Sequence, residues 1–172
     1  MPLRKIVIIG PESTGKSTLC ADLAAHFKTE WVQEYAREYL EEHGMGYSYE
    51  TLSSIARGQL ALEDKGSAAN LLFIDTDLYV IKVWSEYVFG RCEAWILNEI
   101  VRRKYDGYLL ANTDLPWADD PLREYPEPGI RERLFRIYRD LLINQSVPWA
   151  EVSGVGDERL ERAIGAVERL LQ

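Results

Sequence analysis

The stretch Ile8-Ile9-Gly10-Pro11-Glu12-Ser13-Thr14-Gly15-Lys16-Ser17-Thr18 restricts the fold more than any other part of the chain. It has the form G-x-x-x-x-G-K-[ST], running from an apolar strand into an apolar-periodic helix. The two glycines let the backbone turn tightly and bring its N–H groups against an anion. The helix that follows offers its positive N-terminal dipole to the same anion. Lys16 is placed to reach the β- and γ-phosphates of a nucleoside triphosphate, and the Ser17 hydroxyl to sit on magnesium. Four fixed positions of this kind coincide by chance on the order of once in 10⁴–10⁵ windows, given average residue usage. Gly10, Glu12, Ser13, Thr14, Gly15, Lys16, Ser17 and Thr18 are therefore expected to bind ATP.

The flanks agree. Lys5-Ile6-Val7-Ile8-Ile9 is continuous and β-branched, as a strand buried on both faces should be. Leu19, Leu23 and Phe27 then recur at helical spacing. The chain has 172 residues, which makes one domain, 1–172, the expectation. Its formal net charge of −8 argues against nucleic acid as the main partner. No apolar run approaches the length of a membrane span, and the N-terminus lacks the architecture of a signal peptide. Cys20 and Cys92 have no metal-ligand spacing, so Cys20 is expected in the core and the setting is expected to be cytoplasmic.

Strand and helix patterns alternate along the chain. Strands are predicted up to Gly10, at Glu30–Gln33, Asn70–Asp75, Gly107–Ala111 and Trp149–Ser153. Helices are predicted over Ala36–Glu42, Tyr49–Asp64, Tyr79–Phe89, Ala94–Arg103 and Arg131–Ile143. A last helix carries Leu160, Ile164, Val167 and Leu171 on one stripe. This order implies a three-layer α/β/α fold around a five-stranded parallel sheet. Ligands then gather at the carboxyl ends of the strands. Four of the seven prolines lie between Pro116 and Pro128, in the place of a lid at about residues 114–133.

The phosphate loop leaves the class of enzyme open, and other residues narrow it. A guanine-reading Asn-Lys-x-Asp element is missing; Asn112-Thr113-Asp114 lacks the lysine. Motor and AAA-type ATPases usually follow an apolar strand with Asp-Glu, whereas Thr76 stands in the Glu position here, which counts against a dedicated ATPase. A small-molecule kinase with an arginine-bearing lid fits better, with Arg123, Arg131 and Arg133 in the lid region. Asp75, ending a strand that faces the loop, is expected to hold Mg²⁺ with Ser17. Glu34 ends the second strand, where a carboxylate can take the acceptor hydroxyl's proton and orient its oxygen. Arg37 either reaches the substrate or pairs with Glu34. Asp77 either binds a sugar hydroxyl or caps the following helix. Arg123 is the expected lid cation, or else a partner for Asp119, Asp120 and Glu124. Gly154-Val155-Gly156-Asp157 lies where adenine often rests, although a helix entry capped by Asp157 explains it equally well.

Glu34-Tyr35-Ala36-Arg37-Glu38, Ala56-Arg57-Gly58-Gln59, Phe73-Ile74-Asp75-Thr76-Asp77, Trp84-Ser85-Glu86-Tyr87 and Pro116-Trp117-Ala118-Asp119-Asp120 follow the phosphate loop in that order. Together they resemble the ribosylnicotinamide kinase domain of the NadR family, an AAA-type P-loop group, over nearly the whole chain. The resemblance implies MgATP-dependent phosphorylation of nicotinamide riboside to the mononucleotide, in NAD biosynthesis. It implies ribose and magnesium contacts at Glu34, Asp75 and Asp77; the residues themselves add Lys16 and Arg123 as expected catalytic groups and Tyr35, Arg37 and Trp84 near the substrate. It also implies a stand-alone kinase, since His26 and His43 cannot form an adenylyltransferase motif. One position departs from the family: Gln33 stands where members place an aromatic against the nicotinamide ring. Trp31, Tyr35, Trp84 and Tyr87 are the candidate substitutes. The alternatives are a kinase of another nucleoside and a regulatory P-loop ATPase with no small-molecule acceptor.

Overall fold

The structure, a computed structural model, describes residues 2–172. Five strands form one parallel sheet: β1 (Arg4–Ile9), β2 (Glu30–Val32), β3 (Leu71–Asp75), β4 (Gly107–Ala111) and β5 (Trp149–Val152). Their order across the sheet is β2-β3-β1-β4-β5. The register pairs Ile8 with Asp75 on one side and with Leu109 on the other. The end of β3 is thereby fixed beside the start of the phosphate loop.

Seven helices connect and cover the strands: α1 (Lys16–Phe27), α2 (Tyr35–His43), α3 (Tyr49–Lys65), α4 (Leu78–Phe89), α5 (Ala94–Arg102), α6 (Pro128–Ile143) and α7 (Gly156–Leu170). Alternation along β1 divides the core. Ile6 and Ile8 face α1 and α7, packing with Leu23, Phe73 and Val167. Val7 and Ile9 face α4 and α6, packing with Val83, Leu134 and Leu142. All four β1 side chains are fully buried. Each contributes about 1.5–3 kcal/mol by leaving water. A third cluster joins α2, α3, α4 and α5 around Leu52, Ile55 and Ile81. Among the described residues, no helix is long and apolar enough to cross a membrane.

Several details differ from the sequence expectations. The sixth helix starts at Pro128 rather than Arg131, because proline at the first helical position loses no hydrogen bond. Residues 128–130, expected before the helix, therefore belong to it. Asp157 lies within the first turn of α7, and Val155 takes the cap position without a side-chain bond. The buried stripe of α7 is Arg159, Ala163, Ala166 and Val167, so Leu160 and Ile164 lie at its edge. Cys20 is buried in the core.

Candidate active site

The phosphate loop leaves β1 through Gly10, whose φ is +146°. A Cβ there would lie 2.8 Å from the Ala111 carbonyl oxygen, so both the backbone angle and the space demand glycine. Ser13 is also left-handed, at φ +56°. That conformation costs a residue other than glycine free energy, and neighbouring bonds hold it in place. The Ser13 hydroxyl accepts from Ala118 N–H at 2.9 Å, and its carbonyl accepts from Arg131 Nη2 at 2.9 Å. Arg159 does the same for the next residue, donating to the Thr14 carbonyl at 2.9 Å while pairing with Asp114 at 2.8 Å. Both arginines are only 5% exposed. Burial and the nearby Arg123 charge lower the pKa of Arg131.

At the start of α1, Gly15 occupies the cap position in left-handed conformation. No side chain caps the helix, and its first turn carries no acid. The positive end of the helix is thus uncompensated from within. Lys16 Nζ donates to the Pro11 carbonyl at 2.9 Å, folded over the loop it belongs to. Ser17 donates its hydroxyl to Asp75 Oδ2. Asp75 is fully buried, and its Oδ1 has no hydrogen-bond partner. Burial, and then the charge of Glu34, raise its pKa. An orphaned carboxylate oxygen beside a hydroxyl is an oxygen donor set suited to a hard cation, and Mg²⁺ takes only one or two carboxylates alongside phosphate and water.

One cleft is lined by residues 10–18 of the loop together with Glu34, Arg37, Trp84, Tyr87, Arg123 and Tyr125. Glu34 is the N-cap of α2, and its side chain makes no cap bond. Arg37 pairs with Asp120 at 2.8 Å rather than with Glu34, and that bond raises its pKa. Trp84 packs edge-on against Tyr47 with ring centroids 4.8 Å apart, and its indole N–H is buried without a partner. Arg123 pairs with no carboxylate among the described residues. It donates to the Ala118 carbonyl and, at 3.3 Å, to the Ser13 hydroxyl.

Three expected residues lie elsewhere. Asp77 is 3% exposed and is not part of the cleft wall. It caps α4 by accepting from Tyr79 N–H at 2.9 Å, and it accepts from the Tyr108 hydroxyl at 2.8 Å. Both oxygens are therefore engaged inside the protein, and burial pushes its pKa up to about 7. The Tyr35 ring turns to α3 and lies against Gly58. Trp31 packs on the α1 side of the sheet, while Gln33 is exposed. The aromatic wall of the cleft comes instead from Trp84, Tyr87, Tyr125 and Tyr138.

The segment between β4 and α6 is bonded both to the phosphate loop and to the α2–α3 connection. Glu12 accepts from the main-chain N–H groups of Glu124 and Tyr125 at 3.0 and 3.1 Å. Burial raises the Glu12 pKa, and those two bonds oppose the shift. The Tyr47 hydroxyl donates to Glu124 at 2.8 Å, and burial raises its pKa. The sequence places Glu12 only in the ATP loop and not against Glu124 and Tyr125, and it assigns no role to Tyr47, Arg159 or Gln59, whose amide bonds Tyr35 N–H and the Gln33 carbonyl. Only the buried polar character of Gln59 and Arg159 within apolar helical patterns could have marked them.

Comparison with known proteins agrees with this architecture. The chain is 27% identical over 176 residues to the trifunctional NAD biosynthesis/regulator protein NadR of Salmonella typhimurium; the match covers 98% of the chain and 43% of that protein. The chain therefore spans under half the length of this relative. The crystal structure of NadR in complex with NR superposes with a TM-score of 0.79 at 24% identity, covering 98% of the chain and 50% of NadR. Deoxyadenosine kinase from M. mycoides, solved with dCMP and dCDP, shares the fold with a TM-score of 0.65 at 14% identity, covering 96% and 99% of the two chains. The motif resemblance to NadR thus extends through almost all of the sequence. A family model described as an AAA domain matches residues 5–159, so with its phosphate loop and parallel sheet the chain belongs to that AAA-domain family.

Proposed function

We propose that this protein transfers the γ-phosphoryl group of ATP to the 5′-hydroxyl of nicotinamide riboside, giving nicotinamide mononucleotide and ADP in NAD biosynthesis. The observation that carries the reading is one cleft lined jointly by the phosphate loop, Glu34 and the aromatic side chains Trp84, Tyr87, Tyr125 and Tyr138. NadR, solved with NR, is similar over the same length of chain.

Main-chain N–H groups of the loop and the α1 dipole bind the triphosphate. Lys16 exchanges the Pro11 carbonyl for phosphate oxygens. Ser17 and Asp75 would hold magnesium, which when bound neutralises charge on the β- and γ-phosphate oxygens. The acceptor oxygen forms the new P–O bond as the bond to the β-phosphate bridging oxygen breaks, and the hydroxyl proton passes to the Glu34 carboxylate. Positioning dominates over basicity, because the transition state is loose. Arg123 faces the transferred group from the lid. Trp84, Tyr87 and Tyr125 offer faces to a cationic pyridinium ring at about 0.5–2 kcal/mol per contact. A cytoplasmic setting goes with this chemistry.

A kinase of another nucleoside is the second reading. It is favoured by the exposed Gln33 outside the cleft and by the shared fold with deoxyadenosine kinase. A coupled ADP assay over a nucleoside panel separates the two. Turnover should be highest with nicotinamide riboside. Turnover with a different nucleoside alone would move the assignment to the second reading, and ADP production independent of any nucleoside would remove both.

A further inference from the structure

Glu34 is the N-cap of α2, a position where Ser, Thr, Asp or Asn accept from a main-chain N–H of the first turn. Glu34 does not, and it lines the cleft instead. The N-terminus of α2 is served from outside by Gln59 of α3. Gln59 is 2% exposed. Its Oε1 accepts from Tyr35 N–H at 2.8 Å, and its Nε2 donates to the Gln33 carbonyl at 3.3 Å. Tyr35 N–H is the first orphan donor of α2. A single buried amide therefore grips the main chain on both sides of Glu34. The neighbouring Gly58 adds a steric fit. A Cβ at that position would lie 1.9 Å from Tyr35 Cε1, so the tyrosine ring fills the space that glycine leaves. Neither Gly58 nor Gln59 lines the cleft.

We infer that Gln59 is a positioning residue of the transfer reaction, capping α2 in place of Glu34 so that the Glu34 carboxylate stays directed at the acceptor. The inference rests on the proposed role of Glu34. Gln59 touches neither nucleotide nor acceptor, so it acts through the turn alone.

The test is a double-mutant cycle with MgATP and nicotinamide riboside. Gln59→Met keeps the length of the side chain and removes both polar atoms. It should lower kcat about 10–10²-fold with the KM for ATP held within about twofold, a cost typical of misplacing a reacting group. In the Glu34→Gln background the same change should alter kcat by less than about threefold, because its effect runs through the missing carboxylate. An equal fall in both backgrounds, a matching loss of ATP binding, or an unchanged kcat in the otherwise native protein overturns the inference. If Gln59→Met does not fold, Gly58→Ala displaces Tyr35 from the same turn. It should give the same dependence on Glu34, and an additive effect overturns the inference. Native turnover in Glu34→Gln alone would instead remove the base assignment, and Gln59's role with it.

Discussion

Ser17, in the first turn of α1, donates its hydroxyl to Asp75 at the end of β3. The contact joins the phosphate loop to the neighbouring strand, and it leaves one buried carboxylate oxygen without a partner. If that oxygen serves a cation, as the proposed phosphoryl transfer requires, Asp75→Asn should raise the magnesium concentration needed for half-maximal turnover by at least about tenfold. A magnesium titration of steady-state ADP formation checks this, and an unchanged midpoint would separate Asp75 from the metal.

Arg123 is held in the lid by the Ala118 carbonyl and the Ser13 hydroxyl, not by an acid. In the proposed reaction its charge would act on the transferred phosphoryl group. Arg123→Ala should lower kcat by roughly 10³-fold or more, the lower end for a transition-state arginine, with ATP affinity changed far less. Single-turnover kinetics alongside ATP-binding calorimetry distinguishes the two effects. Equal losses in both would make Arg123 a ground-state ligand.

Arg159 bridges α7, Asp114 and the carbonyls of Thr14, Asn112 and Gly154. Removing it takes the side-chain donor from the buried Thr14 carbonyl, while Asp114 keeps only its bond from Gly154 N–H. Arg159→Met should cost about 2–4 kcal/mol of folding stability. Urea denaturation measures it, and a change below about 1 kcal/mol would mean that the loop is held by other bonds.

What the sequence discloses follows from distance along the chain. The phosphate loop and the β1 strand are local signals, written in consecutive residues. Asp75 can be placed because a strand end is visible as the end of an apolar run. Arg159 cannot, because its partner Thr14 lies 145 positions away. The two alternatives for Asp77 are indistinguishable in sequence, since capping a helix and binding a sugar both call for an acid after a strand. Tyr108, whose hydroxyl decides the matter, sits on a strand two places across the sheet. Tyr35 is misplaced by sequence for a related reason: the gap at Gly58 that receives its ring exists only once α2 and α3 pack.

Asp77 also gives a pH prediction. Burial raises its pKa to about 7 in the folded protein, above the unfolded value of about 3.9. The folded state thus holds this proton more tightly. The resulting stability is fully present below the unfolded value and is lost as pH rises through about 7. The stability of the native protein relative to Asp77→Asn should therefore fall between about pH 5 and about pH 8. Denaturant unfolding of both proteins at the two pH values checks the sign, and a constant difference would contradict it.

Phosphoryl transfer to a nucleoside hydroxyl is reported most directly by its products. Incubation with MgATP and nicotinamide riboside, followed by mass spectrometry and phosphorus NMR, should yield one mononucleotide for each ADP and negligible ADP when the riboside is omitted. ADP formed at the same rate with and without the riboside, with the riboside recovered unchanged, would contradict a kinase acting on this acceptor.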